Sequence, residues 1–278
     1  MTESSDTTFN VALIQTTSRR DPDDNVREIT PMIEQAASDG ADFVMLPETV
    51  SMMEADPAQL RAKAKTESYS SALASFCETA RSSNIWLLAG SLVIAPEEEG
   101  SGVANRSFLI DNTGEVRARY DKIHMFDVKL ASGESYRESA NYKPGDTSVV
   151  AETPWGKLGM TVCYDLRFPQ LYRQLAHKGA IFLSVPSAFT RPTGRAHWEV
   201  LLRARAIENG CFVFAPAQCG SHENGRETHG HSLIVDPWGH VVADGGEQPG
   251  IVTATIDTSA VERARAQVPS LSHDRAFN

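Results

Sequence analysis

The chain is constrained most by a succession of short apolar runs, in several of which hydrophobic residues follow one another instead of alternating with polar ones. They fall at 10–15, 42–46, 85–90, 107–111, 116–120, 148–151, 158–162, 180–185, 211–215, 232–235, 240–243 and 250–256. A strand with one wet face alternates, whereas a strand apolar at consecutive positions has to be covered on both faces. Each run is far shorter than the ~18 residues a membrane span needs. Helical patterns separate some of the runs. One covers 22–38, opening on an Asp-Pro start signal and stopping before Gly40; others cover 168–177 and 196–209, the last stopped by Gly210. Tight turns separate others: DNTG at 111–114, TPWG at 153–156 and DPWG at 236–239 read as hairpins. Crossover helices mixed with hairpins predict an α/β fold with mixed rather than purely parallel sheets. The three turns hint at internal similarity without amounting to a repeat. No Pro/Ser-rich linker divides the chain, and Glu97-Glu98-Glu99-Gly100 reads as a loop tip, so a single domain over 1–278 is expected.

Charge narrows the partners. The 278 residues include 26 Lys and Arg against 36 Asp and Glu, a net charge of -10, with no basic stripe. Nucleic acid and anionic membranes are therefore not expected as partners, and a small soluble ligand is. The opening MTESSDTTFN shows neither a basic start nor an apolar stretch, so no secretory signal is read and a cytoplasmic location is expected. The four cysteines, Cys77, Cys163, Cys211 and Cys219, form no C-x-x-C pair. In a reducing compartment they are free thiols, and the question becomes which of them reacts.

Ligand sites in α/β sheets lie at the carboxyl ends of strands. Glu48, Lys122 and Cys163 each follow an apolar run. Cys163 also precedes a helical stretch, so its thiol sits at a strand-to-helix turn, and a helix N-terminus there would favour the thiolate. A cysteine, a carboxylate and an ammonium suit acyl transfer. The thiolate attacks a carbonyl, the carboxylate moves the proton, and the ammonium with the backbone N–H of Tyr164 holds the oxyanion. Cys77 on a helix and Cys211 in an apolar run read as packing residues; Cys219 ends a run and could approach the site. His229 and His231 form H-x-H, yet no convincing set of further ligands accompanies them, so no metal is expected. Glu199 and Arg203 read as an ordinary helical ion pair. Trp155 and Trp238 read as packing residues.

The segments LPET (46–49), YDKIHMFDV (120–128) and GMTVCYDLRFPQL (159–171) occur in the order found in the nitrilase superfamily of carbon–nitrogen hydrolases, which the chain resembles along essentially its whole length. The resemblance implies a four-layer αββα sandwich and no cofactor. It implies Glu48 as general base, Lys122 as oxyanion stabiliser and Cys163 as nucleophile. A second glutamate that positions the lysine is implied in YRESANYKPG, at Glu138 with Glu134 competing. Segments 189–220 and 228–242 resemble the branch that cleaves amides of 2-oxoglutarate, and the insert SHENGRETHGHS (221–232) favours deaminated glutathione as substrate. Hydrolysis to 2-oxoglutarate and cysteinylglycine through a thioester is then expected. Omega-amidase action on 2-oxoglutaramate, or hydrolysis of an N-carbamoyl amino acid, are the alternatives. An anionic substrate calls for a cation, for which Arg167 is the candidate unless it pairs with Asp165. His124, Phe126, Phe189 and Thr190 are expected to line the pocket. A homodimer is implied by resemblance alone.

Overall fold

A computed structural model describes residues 7–97, 102–129, 133 and 135–276. In chain order the elements are β1 (Thr8–Gln15), α1 (Pro22–Ser38), β2 (Phe43–Met45), α2 (Pro57–Lys63), α3 (Ser71–Ser82), β3 (Trp86–Ile94), β4 (Ala104–Ile110), β5 (Val116–Asp121), β6 (Asp127–Lys129), β7 (Ser135–Arg137) and β8 (Val149–Thr153). They continue with β9 (Gly156–Met160), α4 (Pro169–His177), β10 (Phe182–Ser184), α5 (Arg191–Asn209), β11 (Phe212–Ala215), β12 (Cys219–Ser221), β13 (Glu227–His229), β14 (Leu233–Val235), β15 (Val241–Asp244), β16 (Gly250–Asp257) and α6 (Ser259–Gln267). Of the charged run expected as a loop tip, residues 98–100 lie outside the described residues.

Two six-stranded sheets, ordered β16-β1-β2-β3-β4-β5 and β15-β14-β11-β10-β9-β8, carry the fold. Where the runs lack alternation, as in β2, β3 and β11, both faces of the strand are covered, whereas the edge strand β5 alternates between half-buried and exposed residues. In β1, Phe9, Val11 and Leu13 enter the core shared with the second sheet, while Ala12 and Ile14 meet the opposite face. That opposite face is closed by Ile29 and Ile33 of α1 and Phe76 of α3. Leu171 and Leu175 of α4 and Trp198 and Leu202 of α5 close the second sheet from outside. The layers are therefore α, β, β, α, and each fully buried Leu, Ile or Phe contributes about 1.5–3 kcal/mol. Between the sheets Trp155 stacks on Phe9 with ring centroids 4.5 Å apart. Trp238, also expected to pack, is 48% exposed.

Local signals set the helix ends. Asp21 caps α1 by accepting from the N–H groups of Asp23 and Asp24, and Gly210 ends α5 at φ 55°. Helix α5 begins at Arg191, ahead of the expected 196, because Pro192 occupies the first turn, where its missing N–H would have no partner. Helix α4 begins at Pro169, and residues Cys163–Arg167 before it form a 3-10 turn. Among the described residues no helix is long and apolar enough to cross a membrane.

The two sheets repeat one plan. In the first, β1, β2 and β3 are parallel, with antiparallel β4 and β5 following and β16 antiparallel on the outside of β1. In the second, β9, β10 and β11 are parallel, with antiparallel β14 and β15 following and β8 antiparallel on the outside of β9. The similarity hinted at by the turns is thus a similarity of topology. The β4–β5 and β14–β15 turns match in their backbone-to-carboxylate bonds: Asp111 Oδ1 accepts from Thr113 and Glu115 N–H, and Asp236 Oδ1 from Trp238 and His240 N–H.

Candidate active site

Strand ends of both sheets converge on one cavity of about 490 Å³, lined among others by Glu48, Lys122, Glu138 and Cys163. Glu48 stands in the turn after β2, three residues past Met45. Gly90 of β3 makes room for that turn: a Cβ there would lie 1.8 Å from the Leu46 carbonyl oxygen and 2.5 Å from Pro186 Cβ. Lys122 directly follows β5. Cys163 opens the 3-10 turn after β9 at φ 49°, a left-handed conformation that is strained for a residue with a Cβ. Its N–H donates to the Pro186 carbonyl at 3.0 Å, tying the Cys163 turn to the turn after β10.

Polar contacts hold the three side chains in a dry setting. Lys122 is 2% exposed. Its Nζ donates to Glu48 Oε1 at 2.9 Å and to both Glu138 oxygens at 2.8 Å. Asn105 Nδ2 donates to Glu48 Oε1 at 3.0 Å, and Ala188 N–H donates to Glu48 Oε2 at 2.9 Å. Glu138 is held in turn by Phe126 N–H at 2.6 Å. Fully buried Asp165 fastens the Cys163 turn to the strand that leads to Lys122. It accepts from Tyr120 Oη at 2.7 Å, Val162 N–H at 2.9 Å and His124 N–H at 3.1 Å.

The charges follow from these contacts. Burial works against an ionised Glu48, but Lys122 and Arg226, with hydrogen bonds from Lys122 and the Cys163 thiol, outweigh it and hold the carboxyl below its usual range. Burial likewise disfavours a charged Lys122; the Glu138 and Glu48 carboxylates outweigh that and keep it an ammonium. The Cys163 thiol is pushed up, first by burial and then by the Glu48 carboxylate, with Lys122 opposing. The expectation of a thiolate stabilised by a helix end is corrected here. The turn after Cys163 is a five-residue 3-10 segment, and desolvation beside a carboxylate dominates. A neutral thiol beside an ionised carboxylate is what proton transfer during attack requires, and the nearby ammonium can receive negative charge that develops on oxygen.

The family model for carbon–nitrogen hydrolases matches residues 10–266. The chain belongs to the carbon–nitrogen hydrolase family. It is 43% identical to deaminated glutathione amidase of Yersinia enterocolitica over 96% of this chain and 93% of that one. It is 41% identical to deaminated glutathione amidase of Synechocystis over 94% and 96%. The crystal structure of the Caenorhabditis elegans NitFhit protein superposes with a TM-score of 0.90 at 39% identity, over 96% of this chain and 65% of that longer one.

The carbon–nitrogen hydrolase cavity gathers Glu48, Lys122, Cys163, Glu138, Tyr164, Phe126, Phe189 and Thr190. Glu134, the competing second glutamate, lies outside the described residues. Two expected lining residues sit elsewhere. His124 is turned to Asp165, 2.7 Å from its Nδ1, and stacks on Phe168 at 3.5 Å. Arg167 pairs neither with Asp165 nor with the cavity: its guanidinium lies over the Tyr164 and Phe189 rings and within 3.4 Å of His197 Nδ1. The structure adds Arg226, Arg137, Tyr136, Tyr142, Asn224 and the Met52–Met53 pair to the lining. Tyr136, Arg137 and Tyr142 lie in the segment YRESANYKPG, read only for its glutamate, and Asn224 and Arg226 lie in the insert at 221–232, which contributes to the β12–β13 hairpin. Cys211 and Cys219 are buried away from the lining, and Cys77 is half-buried on α3. Beyond β13, His231 turns at φ 55° and bonds Asp244. Among the described residues no group of three His, Cys, Asp or Glu could hold a metal ion.

Proposed function

We propose that the chain is a cysteine amidase that hydrolyses deaminated glutathione to 2-oxoglutarate and cysteinylglycine. The observation that carries the reading is the meeting of Glu48, Lys122 and Cys163 in one cavity, in a chain over 40% identical to enzymes named for that substrate. Glu48 takes the Cys163 proton as sulfur attacks the amide carbon. Lys122 Nζ and the Tyr164 N–H receive the oxyanion, and Glu138 holds the ammonium in place. Glu48 returns the proton to the departing amine, leaving a thioester on Cys163. Glu48 then activates water, which releases the acid and restores the thiol.

The family match over residues 10–266 supports one catalytic unit. A cytoplasmic location and a homodimer complete the proposal; sedimentation of the purified protein tests the latter. Release of 2-oxoglutarate, measured with deaminated glutathione and 2-oxoglutaramate side by side, tests the substrate. A higher kcat/KM for deaminated glutathione is expected, with turnover lost in Cys163→Ala. Preference for 2-oxoglutaramate would make the protein an omega-amidase, and silence on both would remove this substrate class.

A further inference from the structure

We infer that Arg226 determines acyl specificity by receiving the 2-oxo acid carboxylate of the substrate; this assignment rests on the amidase reading above. The cavity lining holds three carboxylates, Glu48, Glu54 and Glu138, and three cations, Lys122, Arg137 and Arg226. Most of these charges are already matched. Lys122 is committed to Glu48 and Glu138 at 2.9 and 2.8 Å. Glu54 is bound by Arg20 and Lys63, each at 2.9 Å. Arg137 is exposed, whereas Arg226 is half-buried and forms no ion pair among the described residues.

The guanidinium of Arg226 is fixed but unsatisfied. Nη2 donates to the Ala188 carbonyl, and the Tyr136 ring centroid lies 5.5 Å from the guanidinium carbon. Its Nε is shielded from solvent and has no hydrogen-bond partner. A shielded donor without an acceptor is costly, and a carboxylate is the acceptor that guanidinium edges match in two-point fashion. The hairpin that carries Arg226 is itself anchored. His222 meets the Ser18 carbonyl at 2.9 Å and Thr228 Oγ1 at 2.8 Å, and Asn224 Nδ2 donates to the Met53 carbonyl at 3.2 Å.

Position selects which carboxylate is bound. Ala188, whose carbonyl accepts from Arg226, also binds Glu48 through its N–H. The cation therefore stands one residue from the base. In deaminated glutathione the 2-oxo acid carboxylate is joined to the scissile carbonyl by two methylenes and a keto carbon. The glycine carboxylate lies beyond a whole cysteine residue on the leaving side. The shorter arm fits a cation this close to the reacting atoms.

The test compares deaminated glutathione with its 4-oxopentanoyl analogue, in which a methyl group replaces the 2-oxo acid carboxylate. Steady-state kcat and KM are measured for the wild-type protein, Arg226→Gln and Arg226→Lys. Arg226→Gln should lose about a hundredfold more kcat/KM on the carboxylated substrate than on the analogue, mainly through KM, with Arg226→Lys recovering part of the loss. An equal loss on both substrates, as expected if Arg226 only positions Glu48, overturns the proposal, and so does an unchanged preference. Calorimetric titration of 2-oxoglutarate into the same three proteins separates the two readings. If the wild type cleaves neither substrate, the amidase reading fails. In that case 2-oxoglutarate binding that weakens in Arg226→Gln sustains the carboxylate site, and binding that does not weaken, or is undetectable, overturns it.

Discussion

The two sheets share strand order, strand directions and hairpin geometry, yet place different chemistry at equivalent points. The pairings of β1 with β2 and of β9 with β10 align Val11 with Leu158, so Thr16 of the first half corresponds to Cys163 of the second. The pairings of β2 with β3 and of β10 with β11 align Phe43 with Phe182, so Leu46-Pro47-Glu48-Thr49 corresponds to Val185-Pro186-Ser187-Ala188. One half supplies the carboxylate and the ammonium, the other the thiol. Neither half holds a complete site. The comparison teaches that the frame is generic and that a few strand-end side chains, facing each other across the sandwich, make it reactive.

The largest expected contrast is between equivalent positions. Glu48→Gln should lower kcat by about 10²–10⁴, the range for loss of a general base. Ser187→Ala, at the corresponding place, loses only the Oγ bond to the Val185 carbonyl at 2.9 Å. It should cost about 1 kcal/mol of stability and leave kcat within a few-fold. Comparable losses of kcat in both variants would break the division of labour between the halves.

The pH profile tests the charges at the junction. In the proposed mechanism Glu48 must be ionised to accept the thiol proton, and its carboxyl is held below the usual range. Activity should therefore persist through the ordinary glutamate pKa of about 4.3 and fall only as pH drops through the depressed value. The same shift stabilises the fold above the unfolded-state pKa, a contribution lost as pH falls through the folded one. Because the Cys163 thiol is raised, no gain from thiol ionisation should appear near the ordinary thiol pKa of about 8.5. An acid limb centred above about pH 5, or a rise through pH 8.5, would contradict the assignment of charges.

The smallest effects should come from the matched hairpins. Asp111→Ala and Asp236→Ala each remove two backbone-to-carboxylate bonds outside the cavity. Each should cost about 1–2 kcal/mol, which is a few degrees of Tm in a chain of this size. Asp111, with 11% of its side chain exposed against 26% for Asp236, should cost more. A loss in one variant alone would show that the hairpins share geometry without sharing energetics.

By itself the sequence determined the doubly covered strands, the hairpin turns and the positions of Glu48, Lys122 and Cys163 at strand ends. These are local properties: periodicity, turn chemistry and the residue that follows a strand can be read within a short window. Only the packing of one sheet on the other decided which side chains meet. Arg226 reaches the cavity from a hairpin 178 residues beyond Glu48, while His124 is claimed by Asp165, 41 residues away, and Arg167 by His197, 30 residues away. The thiol's charge state was decided the same way. It depends on how much water the assembled sandwich excludes and on which carboxylate it brings beside the sulfur, and no short stretch of chain contains either.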